Sequence, residues 1–174
     1  AKTASALAYG TYVLHQTKTG AKDTEKIDDQ IIEIGKDITS EGLNYKTYTY
    51  LYNNKPFEAY LKVVKKDGDT DKTVLKANTK YQIYKVNKDG SETKVEQQYS
   101  NGNKLVDIDT FVTDESGEIM TVKALKSGQY KIYEIDSASG LVIKDEFIDV
   151  TIGSDNPNYT SWTDSEGNSH ALVT

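Results

Sequence analysis

Carboxylates are the side chains in this chain that stand closest to a recognisable chemical spacing. Asp67, Asp69 and Asp71 alternate as they do at the opening of a calcium loop, where oxygens gather around a hard cation. The glycine that such a loop needs at its sixth place and the glutamate at its twelfth are missing, and Lys72 and Asn78 stand there instead. An acidic turn is the plainer reading. Asp107 with Asp109, or Glu33 with Asp37, supply paired carboxylates for glycosidase chemistry, but nothing in the sequence sets the facing geometry such a pair requires. Solvated charge accounts for them. His15 and His170 are far apart and lack any zinc-ligand spacing, so no metal site is expected. Trp162, with Tyr159 and Asn158, has the makings of a stacking platform for a sugar, or of an aromatic packed at a domain junction. With no cysteine, disulfides, thiolate metal sites and thiol nucleophiles are excluded together.

The elements that must position these groups read as strands. Tyr outnumbers Phe 13 to 3, and Tyr with Thr and Val favours a pleated, half-solvated surface. Alternation of apolar and polar residues predicts strands over residues 11–14, 45–52, 57–64, 80–86, 111–113, 130–135, 147–152 and 171–174. Between them lie turn residues: Asp67-Gly68-Asp69, Lys88-Asp89-Gly90, Asn101-Gly102-Asn103, Glu115-Ser116-Gly117 and Ser165-Glu166-Gly167. Residues 23–34 come nearest to a short helix. The net charge of -6, with lysines interleaved among acids, argues against nucleic acid as a partner. No apolar run reaches the 18 or so residues of a membrane span, and residues 1–30 lack a signal peptide's apolar core. The chain reads as a piece of something longer.

A shift of 118 positions lays Leu7 on Leu125, Gly10 on Gly128, Tyr12 on Tyr130 and Leu14 on Ile132. Without a gap it then lays Ile32 on Val150, Ile34 on Ile152, Gly35 on Gly153 and Asp37 on Asp155. Two strands thus occur twice at equal separation. Residues 1–54 are read as the C-terminal strands of a preceding repeat and 55–174 as a nearly complete second one. The alternative is one irregular β-domain in which Gly-x-Tyr hairpins recur by chance.

The segment Leu125-Lys126-Ser127-Gly128-Gln129-Tyr130-Lys131-Ile132-Tyr133-Glu134 resembles the L-x-x-G-x-Y-x-L-x-E signature of CnaB-type, SpaA-like pilin domains. Residues 60–67 (YLKVVKKD) are similar to that family's first strand, and residues 79–86 to its following A-x-Y-x-I-Y strand. Thr113-Asp114-Glu115-Ser116-Gly117 matches its T-D-E-x-G turn, and residues 53–61 resemble a junction between two such domains in clostridial surface proteins. The resemblance implies an all-β, CnaB-like (transthyretin-like, Ig-like) sandwich in tandem repeat. Members often carry an isopeptide bond between a Lys on the first strand and an Asn on the last, promoted by a buried Glu. The chemistry is coherent: an ammonium must shed a proton before attacking, and a dry interior favours the neutral amine and the neutral acid together.

Carried over residue by residue, Leu61, Val63, Lys65 and Asp67 share one strand face, which turns Lys65 inward as the isopeptide amine. A one-residue slip would exchange it with Lys66. Tyr130, Ile132 and Glu134 share a face likewise, making Glu134 the promoting acid. In the first repeat Gln16 stands where a Glu should, and an amide is no general acid. Asn53 takes the place of that repeat's acceptor. In the second repeat the last strand is expected over 170–174, and Asn156, Asn158 and Asn168, all in turns, are poor acceptors, so Lys65 and Glu134 are expected here without a cross-link.

The resemblance implies a non-enzymatic role: a stalk or spacer segment of an extracellular, cell-wall-anchored adhesin or pilin of a Gram-positive bacterium, partnered by neighbouring repeats and needing no cofactor. The rival reading is an adhesin module that binds a host protein or glycan.

Overall fold

The fold is that of a computed structural model describing residues 5, 7–34, 51, 54–143 and 147–174. Fourteen strands occur among them: β1 (Gly10–Leu14), β2 (Gln30–Ile34), β3 (Glu58–Val64), β4 (Lys80–Val86), β5 (Glu92–Lys94), β6 (Gln97–Asn101), β7 (Lys104–Ile108), β8 (Phe111–Val112), β9 (Glu118–Met120), β10 (Leu125–Lys126), β11 (Gly128–Asp136), β12 (Ile148–Ile152), β13 (Tyr159–Thr163) and β14 (Ser169–Val173). No helix is present among the described residues, so the protein is all-β there. Within residues 23–34, nearest to a helix by sequence, Gln30–Ile34 is instead a strand, because its alternating isoleucines find a ladder on β1.

Two five-stranded sheets make the sandwich. One runs β10-β3-β14-β13 with β9 also on β3, and the other runs β12-β11-β4-β5 with β8 also on β4. Period-two burial builds the core between them. Ala59, Leu61 and Val63 of β3 point in, as do Tyr81 and Ile83 of β4 and Tyr130 and Ile132 of β11, and Phe57, Phe111, Ile119, Leu125, Ile152 and Val173 close the cluster. Each large apolar side chain sealed this way stabilises the fold by about 1.5–3 kcal/mol. The buried polar groups in this core are satisfied: Thr121 Oγ1 accepts from Leu61 N at 3.1 Å, and Thr113 Oγ1 accepts from Thr79 N at 3.0 Å while donating to Lys76 O.

Beside the sandwich lie two separate antiparallel pairs, β1-β2 and β6-β7. The first pairs Gly10 with Ile34, Tyr12 with Ile32 and Leu14 with Gln30. In the sandwich, β11 and β12 pair Gly128 with Ile152, Tyr130 with Val150 and Ile132 with Ile148. Every pair of one ladder falls on a pair of the other after the 118-residue shift. Even the tyrosines anchor alike, Tyr12 Oη donating to Ala8 O at 2.8 Å and Tyr130 Oη to Lys126 O at 2.7 Å.

The connection between β1 and β2 is stitched to the start of the sandwich. Glu25 N donates to Lys55 O at 2.8 Å and Phe57 N to Asp23 O at 2.7 Å, around a bridge between Thr24 and Pro56. Ser154 N donates to Lys22 O at 3.2 Å, and Lys22 pairs with Asp155 at 3.0 Å.

Candidate functional site

Just past β3, Lys65 continues that strand's alternation. Its N–H donates to Gly117 O at 3.0 Å and its carbonyl accepts from Val74 N at 2.8 Å, so the backbone remains extended and fixed. The side chain therefore follows Leu61 and Val63 inward, whereas Lys66 points to solvent and pairs with Asp71 at 3.0 Å. Glu134 comes from the other sheet. It lies on β11 opposite Tyr81, immediately before a shift in register between Glu134 and Asp136.

These two side chains meet. Lys65 Nζ donates to Glu134 Oε2 at 2.5 Å, and the two side chains retain 15% and 12% of their exposure. The second carboxylate oxygen accepts from the Ser137 hydroxyl. Tyr81 has its phenol pushed well above the ordinary tyrosine range, first by burial and then by the negative charge of Glu134. An amine and an acid thus share one nearly dry position, joining the two sheets. β14 runs parallel to β3, pairing Leu172 with Tyr60 and Val173 with Leu61. Four residues further along, that register reaches Lys65.

The corresponding position in the β1-β2 unit holds an amide. Gln16 Oε1 accepts from Ile27 N at 2.8 Å and from Asn54 Nδ2 at 2.7 Å, and Asn54 Nδ2 also donates to Glu25 O at 2.5 Å. Asn53, the expected acceptor, lies outside the described residues. Its neighbour Asn54 is the residue seen beside Gln16, a contact that the Asn-Asn dipeptide leaves undecided by one position.

The other sequence candidates are accounted for locally. Asp67 Oδ1 accepts from Asp69 N, Thr70 N and the Thr70 hydroxyl, which makes a closed turn, and Asp71 faces Lys66. His15 pairs with Asp29 at 2.6 Å and His170 with Asp164 at 2.7 Å. No group of three or more potential metal ligands is found among the described residues. Asp107 accepts from Gln98, and Asp109 pairs with Lys94 at 3.3 Å. Glu33 lies on β2, while Asp37 falls outside the described residues. Trp162 packs edge-on against Tyr60 at 5.4 Å and beside His170 at 5.3 Å, its buried Nε1 without a hydrogen-bond partner. Tyr159 packs edge-on against Phe57 at 5.2 Å. Asn156 and Asn168 sit in the turns flanking β13, and Asn158 immediately precedes that strand. No helix among the described residues is long and apolar enough to cross a membrane.

Among solved structures the chain is similar to a streptococcal ancillary pilin, at 21% identity and a TM-score of 0.43, over 87% of this chain and 40% of that one. No curated protein matches it. The SpaA family, described as a prealbumin-like fold domain, matches residues 59–166, a stretch that runs from β3 to the turn before β14 and takes in both Lys65 and Glu134. With more than half of its length in that match, the chain belongs to the SpaA prealbumin-like domain family.

Proposed function

We propose that the chain is a stalk segment of a Gram-positive cell-wall-anchored adhesin or pilin, built from successive sandwich units and stiffened in the intact protein by Lys-Asn isopeptide chemistry. Residues 1–54 are the closing strands of one unit and 55–174 the body of the next. Lys65 is the amine, Glu134 the promoting acid, and an Asn following β14 the acceptor. Glu134 takes a proton from the Lys65 ammonium, and the freed Nζ attacks the Asn side-chain carbonyl carbon and forms the new C–N bond. Glu134 passes its proton to the old amide nitrogen, which leaves as ammonia as its C–N bond breaks, while the carboxylate takes the second proton from Nζ. Neither external substrate nor oxidant is needed. What supports this reading above all is the 2.5 Å contact between inward-facing Lys65 and Glu134, brought from different sheets.

A tandem in which residues 51–174 follow directly after Thr174 tests it. Continuing the β14-β3 register then sets Asn53 of the added copy opposite Lys65. Pulled from its ends in a force spectrometer, the cross-linked unit lengthens by no more than its short tails. Lys65→Ala releases the roughly 110 locked residues, an added extension of about 38 nm. The second copy, with no Asn following its own β14, unfolds once in either case, so an unmodified tandem that shows this extension twice refutes the proposal.

A further inference from the structure

The junction seen at the start of the sandwich has a second, uncovered copy. The connection from Gln16 to Gln30 corresponds, under the 118-residue shift, to that from Glu134 to Ile148, with no residue gained or lost. In the first connection Thr24 and Glu25 are half-buried, because residues 23–25 form a short antiparallel ladder with residues 55–57. Their counterparts in the second are Leu141, Val142 and Ile143. There Val142 is 85% and Ile143 41% exposed. Where the covered strip is polar, the bare one is apolar, and two adjacent exposed aliphatics at the tip of a connection mark a surface that gains from being covered.

We infer that residues 141–143 are the docking strip for the extended segment with which a following unit of the same kind begins, its copy of Lys55, Pro56 and Phe57. The incoming chain would pair as residues 55–57 pair with 23–25, with Val142 facing the Pro56 copy as Thr24 faces Pro56. Proline suits this seat: Thr24 and Pro56 lie between the ladder's hydrogen bonds, so no N–H is required of it. Each unit would then clasp its successor through the connection before its last hairpin strand. The inference rests on the reading of successive units but not on the isopeptide chemistry.

The absence of cysteine makes the test clean. In the tandem, Val142→Cys in the first copy is combined with Pro56→Cys in the second. Residues facing each other in such a pair have Cα atoms about 4.5 Å apart, within disulfide range. Mild oxidation should close this pair at least about tenfold faster than a control pair of Leu75→Cys, itself 69% exposed, with the same Pro56→Cys. Equal rates, or a disulfide that forms between separate molecules instead of within one, overturn the inference. Should the double variant fold poorly, hydrogen exchange of the unsubstituted proteins decides. The Ile143 amide, counterpart of the Glu25 N–H that donates to Lys55 O, exchanges about tenfold or more slower in the tandem than in the 174-residue chain, and unchanged exchange overturns it. Loss of ammonia reads Lys65 and cross-linking reads Val142, so the two proposals fail separately.

Discussion

Removing one partner of the Lys65–Glu134 pair should cost far more than removing both. Lys65→Met keeps the apolar stem and deletes the amine, leaving Glu134 with the Ser137 hydroxyl as its remaining partner in a place that is 12% exposed. A lone charge left by breaking a buried pair costs about 3–5 kcal/mol. Water still reaches the edge of this site, so the lower end, about 3 kcal/mol, is expected for Lys65→Met and likewise for Glu134→Leu. For a chain of this size that lowers Tm by about 6–12 °C. The double variant replaces the pair with aliphatic side chains and should return to within about 1 kcal/mol of the parent. Lys66→Met, which breaks the exposed pair with Asp71, should cost about 0.5 kcal/mol or less. Urea unfolding of the 174-residue chain, followed by circular dichroism, measures all four. Single variants that cost no more than Lys66→Met, or a double variant whose cost is the sum of the singles to within about 0.5 kcal/mol, would refute the claim that the two groups share one dry site.

Burial raises the Tyr81 phenol beyond the ordinary tyrosine range, and burial followed by the charge of Glu58 pushes Tyr130 up to about 12. An acid whose folded pKa is raised contributes stability that is present below its unfolded value, near 10, and is lost as pH climbs through the folded one. Stability should therefore fall above about pH 10, with two tyrosines ionising only on unfolding, as tyrosinate absorbance will show. Asp164 is opposite in sign, held well below the carboxylate range first by the His170 contact and then by the Asn168 backbone N–H. Its contribution to the β13–β14 turn is complete above the ordinary carboxylate value and is lost as pH falls below it. Asp164→Asn should flatten that acid dependence in hydrogen exchange of β14. Gly117 has φ +75°, and a Cβ there would lie 1.9 Å from Val74 O, so Gly117→Ala must shift backbone and should cost well over 2 kcal/mol. Gly167 has φ +88° with nothing nearby, and Gly167→Ala should cost only the left-handed penalty of about 1–2 kcal/mol. Thermal melts of the two variants compare them.

The sites legible in the sequence are those that strict alternation fixed. Leu61, Val63 and Lys65 could share the core face only if Lys66 faced out, and Tyr130, Ile132 and Glu134 obeyed the same rule on β11. Lys80–Val86 was readable to the residue because Tyr81 and Ile83 alternate with polar neighbours at its start and fill the core face. The 118-residue spacing was readable from the sequence, and the β1-β2 and β11-β12 ladders pair in the same register. Glu92–Lys94 and Gln97–Asn101 were not foreseen as strands, since their charged and amide side chains mostly face water and carry no apolar rhythm. Glu118–Met120 and Leu125–Lys126 are too short to show a period and exist because β3 offers them a ladder. The half-exposed β13, YTSWT, is held by pairing with β14 more than by burial. Asn54 beside Gln16 was out of reach because it depends on a contact across 38 residues.

Most direct of all is the intact mass of the tandem. A unit that brings Lys65, Glu134 and a following Asn together should weigh about 17 Da less than its sequence, the mass of one departed ammonia, and should regain it in Lys65→Ala and in Glu134→Ala. A tandem at full sequence mass, folded and with Lys65 still paired to Glu134, would contradict the account.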